Sequence, residues 1–310
     1  MTAVSLMTTV ANAVPAVGRN RTKDLSIGGP LPLPFPESLF TNLAASVQNT
    51  YCYDENNQPG MKLGDQTLLY TVAWQVTPDR VNIYYSDSMG IIMAYMGSNS
   101  SNPVSDLANL DEDLVIPDAA FGLPPLALVM QGLQDLWRLT WEDYVKPNLL
   151  LATEQYPNTS IIVTGHSQGA GIALVTAMAI AKELGPDSIS HVITFGPPRA
   201  GNVFWADAFD SVFKGRYTGV TNGADWVSEQ PPFELGYQHP SGMVWINPAN
   251  SSSYYFYPDQ EDLNGIDSRV PEYIDPASGK TYWGDHQGIY MGTSMGVMWY
   301  GPCPAIIGGF

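Results

Sequence analysis

The chain has 310 residues, 45% of them hydrophobic and only 14% charged, which supplies a sizeable core and argues against disorder. A formal net charge of −17 repels phosphate backbones and anionic bilayers alike. Nucleic-acid partners are therefore disfavoured, and with no apolar run near the roughly 20 residues of a membrane span, no transmembrane segment is expected.

From the N-terminus, Met1 to Val17 is small and apolar, with Ala11-Asn12-Ala13 ahead of Val14-Pro15. This has the look of the end of a secretory signal without its basic start, and we read it as a truncated or atypical one. Residues 18–38 carry repeated prolines (Pro30, Pro32, Pro34, Pro36) that forbid helix and predict an extended arm. Signal remnant and arm thus occupy 1–38, and a single catalytic domain 39–310. Leu39, Phe40, Leu43, Ala44 and Val47 follow helical spacing, and the chain then reaches Cys52.

Thr67 to Gln75 and Val81 to Tyr85 read as strands, and Gly90 to Tyr95 as a buried one. The last runs into Met96-Gly97-Ser98-Asn99, a small polar loop of the kind whose N–H groups receive an anion. Asp106 to Leu114 mixes acids with leucines and suits a flap. Leu126 to Leu151 predicts one long amphipathic helix, kinked or split at Pro147. A helix over about 170–184, a buried strand His191 to Phe195, a helix Phe204 to Phe213, and strands Arg216 to Thr221 and Val244 to Ile246 complete an alternation that marks an α/β fold. Asp207 and Asp210 fall on the second of these helices and read as solvated.

Two cysteines, Cys52 and Cys303, lie near opposite ends of the chain. They are either a staple between the termini or two free buried thiols. Sequons at Asn20, Asn99, Asn158 and Asn250 join the acidic composition in favouring a secreted glycoprotein.

The centre of the chain is Ile161-Ile162-Val163-Thr164-Gly165-His166-Ser167-Gln168-Gly169-Ala170-Gly171. A β-branched run meets Gly-x-Ser-x-Gly and passes straight into a helical pattern, the strand–turn–helix of a nucleophile elbow. A serine hydroxyl needs a histidine base, and that base needs a carboxylate to orient it. The four histidines allow a choice by elimination. His166 adjoins the serine and points away from it, and His191 opens a strand at the far end. His239 precedes a short strand, whereas His286 sits on a late glycine-flanked loop, where elbow hydrolases keep their base. His286 is preferred. Asp225, just beyond a strand, is preferred as its acid over Asp285, whose side chain diverges from that of its neighbour. For the oxyanion, the Gln168 backbone N–H and Ser98 are the candidate donors. No histidine, cysteine or carboxylate cluster has metal-ligand spacing, so no cofactor is expected.

These residues carry a resemblance to the fungal secreted lipases of the class 3 lipase family, which includes feruloyl esterases. Ala94-Tyr95-Met96-Gly97-Ser98 is similar to that family's oxyanion turn, and Val163 to Gly171 to its elbow. Thr194-Phe195-Gly196-Pro197-Pro198-Arg199-Ala200-Gly201-Asn202 and Thr221-Asn222-Gly223-Ala224-Asp225 follow in the family's order, then Asp285-His286 with Tyr290. The resemblance implies an α/β-hydrolase fold with a mostly parallel central sheet flanked by helices and a lid over about 99–115. It also implies a Ser167–Asp225–His286 triad, an oxyanion hole at Ser98 and Gln168, and a Cys52–Cys303 disulfide. Departures are Gln168 where leucine is usual, Met96 where arginine is common, and a long 247–282 insertion. The insertion either shapes the leaving-group side or covers the sheet edge. The expected function is a secreted carboxylic-ester hydrolase, a triacylglycerol lipase first and a feruloyl or other carboxylesterase second. Its partner would be a lipid or ester substrate at a lipid–water interface. Outside the enzymes, the alternative is an inactive hydrolase-fold binding protein.

Overall fold

In the computed structural model, which describes residues 31–72, 80–98, 110–262, 264–269, 283–296 and 303, the apolar runs of the sequence assemble into one nine-stranded sheet. Helix α1 (Glu37–Thr50) precedes strands β1 (Lys62–Leu63), β2 (Gln66–Val72), β3 (Val81–Ser86) and β4 (Gly90–Tyr95). Short strands β5 (Leu114–Val115) and β6 (Val129–Met130) lead to α2 (Gln131–Thr140) and α3 (Lys146–Gln155). There follow β7 (Ile161–His166), α4 (Gln168–Leu184), β8 (Ile189–Phe195), α5 (Val203–Phe213), β9 (Tyr217–Asn222) and β10 (Met243–Ile246). The last elements are β11 (Tyr254–Tyr257), α6 (Trp283–His286), β12 (Ile289–Tyr290) and β13 (Thr293–Ser294).

The sheet order is β1-β2-β3-β4-β7-β8-β9-β10-β11. Strands β4, β7, β8, β9 and β10 are parallel, as strand–helix–strand units require. An antiparallel meander, β1 to β4, flanks one side. Both faces are covered, so β4 and β7 are buried at every position. On β4, Ile91, Met93 and Tyr95 pack beneath α2 to α5, while Ile92, Ala94 and Met96 pack against α1 and the C-terminal loop. This is the two-residue period of a pleated strand.

The long helix predicted over 126–151 is split next to Pro147, in line with the expected kink or break. It starts at Gln131, and a π turn over Trp141–Val145 separates α2 from α3. Pro147 lacks the N–H that would reach back one helical turn, and the extra residue of a π turn absorbs that loss. Asp210 is not a solvated helix residue either, because its carboxylate accepts from the Ser241 backbone N–H at 2.9 Å and hydroxyl at 2.6 Å.

The signal reading and the first part of the arm lie outside the described residues. What remains of the arm runs extended, with Leu31 in an antiparallel bridge to Phe256. Residues 99–109 of the lid segment and the sequons at Asn20 and Asn99 are likewise outside them, whereas β5 closes that segment on β6. Cys52 and Cys303 are joined as a disulfide, with Cα atoms 5.7 Å apart, which ties the end of α1 to the C-terminal region.

The described part of the insertion covers the sheet edge. β11 pairs antiparallel with β10, and the chain beyond it delivers Glu261 and Asp267 to the buried Arg199. The guanidinium Nε and Nη2 take Glu261 at 2.8 and 3.0 Å, and Nη2 also takes Asp267 at 2.9 Å and Glu229 at 3.2 Å. One cation among three buried carboxylates leaves excess negative charge. Burial, with Glu261 and Glu229 beside it, pushes the Asp267 carboxyl up to about 9. Folded Asp267 therefore keeps a proton that the unfolded chain releases near the ordinary carboxylate value, so its contribution to stability declines as pH rises toward about 9. Asp267→Asn removes that slope: the thermal midpoint of the variant should gain on that of the parent between about pH 5 and pH 9. Midpoints that run parallel across this range would contradict the protonated carboxyl.

Candidate active site

The serine is presented by the tightness of its turn. Ser167 has φ 59° and ψ −133°, a left-handed strain that holds it clear of the end of β7. A Cβ on Gly165 would lie 2.4 Å from the Gly169 carbonyl oxygen, and one on Gly169 would lie 2.2 Å from that of Met96. Both glycines are required because α4 starts in contact with β7 and with the end of β4. The Ser167 backbone N–H donates to the Phe195 carbonyl at 3.0 Å, and its Oγ is buried with no hydrogen-bond partner among the described residues.

His286 and Asp225, 61 positions apart, meet against Gly196, the residue after the Phe195 that binds the Ser167 backbone. The imidazole Nδ1 lies 2.9 Å from each Asp225 carboxylate oxygen. Asp225 is fully buried, and it also accepts from the Val227 backbone N–H at 2.9 Å and from the Tyr290 hydroxyl at 2.7 Å. Three donors on one carboxylate replace the water that burial removes. Burial, with Asp225 alongside, holds the Tyr290 hydroxyl far above its ordinary value, so it stays a neutral donor. Sequence reasoning placed Tyr290 in the histidine loop without a role. Its position four residues after His286 was the available signal.

Asp285 is not the partner of His286. Its Oδ2 accepts from the Ala224 backbone N–H at 2.7 Å, bracing the loop that carries Asp225. His239 is also remote from the serine: its Nε2 lies 2.6 Å from the Ser228 carbonyl, and burial lowers it to about 4.

The two oxyanion candidates come together. The Ser98 hydroxyl donates to Gln168 Oε1 at 3.1 Å, and both residues are buried. The unusual glutamine thus spends its side chain on Ser98, and its backbone N–H sits at the start of α4, where a helix favours negative charge.

A chain of polar contacts leads from the turn after β4 to His286. The Gly97 backbone N–H donates to the Tyr51 hydroxyl oxygen at 2.8 Å, and that hydroxyl lies 2.7 Å from His166 Nδ1. His166 Nε2 is 3.0 Å from the His286 carbonyl, which can only accept, so the proton is on Nε2 and Tyr51 donates to Nδ1. The two imidazoles stack with centroids 4.5 Å apart. Burial, with His286 close by, holds His166 well below its ordinary value and keeps it neutral.

A pocket of about 440 Å³ opens between the end of the lid segment, at Leu110, Asp111 and Glu112, and the loop after Asp225, at Trp226, Val227 and Gln230. Its volume suits a small ligand.

Serine, then acid, then histidine is the chain order of the α/β-hydrolases, and it differs from the orders of the chymotrypsin and subtilisin folds. The protein is a serine ester hydrolase of that class. A family model described as lipase (class 3) matches residues 92–235. Secreted mono- and diacylglycerol lipase 3 of Gibberella zeae is 51% identical over 309 residues, covering 99% of this chain and 94% of the relative. Secreted mono- and diacylglycerol lipase MDL2 of Malassezia globosa is 36% identical, covering 91% and 90%. Among solved structures, lipase II from Rhizopus niveus superposes with a TM-score of 0.70 at 23% identity, covering 84% of this chain and 96% of that one. A triacylglycerol lipase with a serine protease triad as its catalytic centre gives a TM-score of 0.65 at 25% identity, covering 83% and 94%. The chain belongs to the class 3 lipase family and is a secreted lipase.

Proposed function

We propose that the lipase acts on mono- and diacylglycerols, with Ser167 as nucleophile, His286 as base and Asp225 as its orienting acid. His286 Nε2 takes the hydroxyl proton as Ser167 Oγ attacks the ester carbonyl carbon. The oxyanion is received by the Gln168 backbone N–H and by Ser98. The imidazolium then gives its proton to the departing glyceride oxygen, leaving an acyl-enzyme. Water, deprotonated by the same imidazole, releases the fatty acid and restores Ser167. Ser167 Oγ, which makes no hydrogen bond among the described residues, forms one with His286 Nε2 as substrate binds.

The observation that carries the substrate class is the 51% identity, over nearly the whole chain, to a relative named for mono- and diacylglycerols. The pocket beside Trp226 supports it. Its wall includes Asp111, Glu112 and Gln230, polar groups that suit a leaving group with free hydroxyls better than a third acyl chain. Initial rates on emulsified monoolein, diolein, triolein and methyl ferulate test the reading. Monoolein and diolein should be cleaved at least about tenfold faster than the others, a difference of about 1.4 kcal/mol in barrier. Triolein cleaved as fast would mark a triacylglycerol lipase, and ferulate cleaved faster would mark an aromatic esterase.

A further inference from the structure

Three loops converge beyond the end of β9: residues 222–225, 247–250 and 285–289. Asn222 is fully buried at their centre. Its Nδ2 donates to the Asp285 carbonyl at 2.8 Å and to Asn250 Oδ1 at 3.1 Å, and its Oδ1 accepts from the Asn250 backbone N–H at 2.8 Å. Asn250 Oδ1 also accepts from the Ile289 backbone N–H at 2.6 Å. The contact is close: a Cβ on Gly288 would lie 2.3 Å from both Asn222 Nδ2 and Asn250 Oδ1.

The backbone on either side of His286, at Asp285 and Ile289, is thus fixed to the same two side chains that hold the start of the Asp225 loop. We propose that Asn250, at the head of the insertion, is a positioning residue for ester hydrolysis: through Asn222 and Ile289 it sets His286 in register with Asp225. The inference rests on the proposed triad. Asn250 never touches substrate; it acts on where the base stands, and misplacing a catalytic group by about 1 Å costs up to about 10²-fold.

Asn250 is exposed, and its Nδ2 donates no hydrogen bond among the described residues. A glycan on that nitrogen, in the sequon Asn250-Ser251-Ser252, is therefore compatible with an inward-facing Oδ1. This separates two roles that one substitution would confound.

Three variants of the secreted full chain are compared at about pH 8, where an ordinary imidazole is neutral. Asn250→Ala removes the acceptor and the sequon; kcat should fall about tenfold with KM within about twofold. Asn250→Asp removes the sequon but keeps an acceptor oxygen, and should restore kcat to within about threefold. Ser252→Ala removes only the sequon and should leave kcat unchanged. Equal losses in the alanine and aspartate variants, or an alanine variant with unchanged kcat, would overturn the proposal. If Asn250→Ala is not recovered folded, Asn250→Ser, whose hydroxyl is too short to reach Ile289, is measured in its place with the same expectations. His286→Ala, run alongside, tests the triad separately: activity surviving there would remove the triad whatever Asn250 does.

Discussion

Ser167→Ala should lower kcat for ester hydrolysis by about 10⁶-fold, the loss seen when a triad nucleophile is removed, while the protein remains folded. The Ser167 hydroxyl makes no hydrogen bond among the described residues, so its removal leaves no buried donor or acceptor stranded. The cost to folding is confined to the backbone. Alanine at φ 59° is no better placed there than serine, and glycine, which tolerates that conformation, gives a second inactive variant without added strain. Circular dichroism and thermal midpoint establish the fold, and an organophosphonate establishes the nucleophile. The parent should gain one covalent adduct on Ser167 and the variants none. Substantial turnover by either variant would rule out Ser167 as nucleophile.

The second large effect is expected at Asp225. Asp225→Asn preserves size but replaces one acceptor oxygen with an amide NH2 donor. His286 Nδ1 now faces both carboxylate oxygens at 2.9 Å, and Tyr290 donates to one of them. An asparagine cannot accept from Val227, Tyr290 and His286 together. Where its Nδ2 turns toward the imidazole, Nδ1 must become the acceptor and the proton moves to Nε2, the tautomer that cannot deprotonate Ser167. A loss of about 10⁴-fold in kcat follows, with KM little changed. Asp285→Asn separates the two acids: its carboxylate accepts from Ala224 rather than from the histidine, so the large loss should belong to Asp225 alone. Equal losses at both positions would put the assignment in doubt.

Much of this geometry was legible in the sequence because it is carried by local pattern. A β-branched run, a glycine-spaced serine and a helix are contiguous, and so are each strand and the loop it ends in. Ser98, Gln168, Asp225 and His286 each sit at such a junction, and chain order chose among the alternatives. What stayed hidden is what side chains do across long separations. Tyr290 reaches Asp225 over 65 positions, and Asn222 reaches Asp285 over 63. Neither has a neighbour that announces it. Gln168, a departure from the usual leucine, shows what its side chain does only through its contact with Ser98. The break in the long helix was legible at Pro147, but its form was not: amphipathic spacing survives a single π turn, so the apolar stripe continues across it.

The contact from Gly97 through Tyr51 and His166 to the His286 carbonyl gives α1 an importance its place in the fold does not suggest. The helix lies on the face of the sheet opposite α4, contributes no reacting group, and is followed at once by a disulfide to the other end of the chain. Yet Tyr51, at its end, bears on the turn proposed to receive the oxyanion and on the imidazole stacked against His286. The proposed donor and base are therefore referenced to a common fixed point, and a shift of that helix would move both together. The N-terminal helix acts as the datum from which the active site is measured.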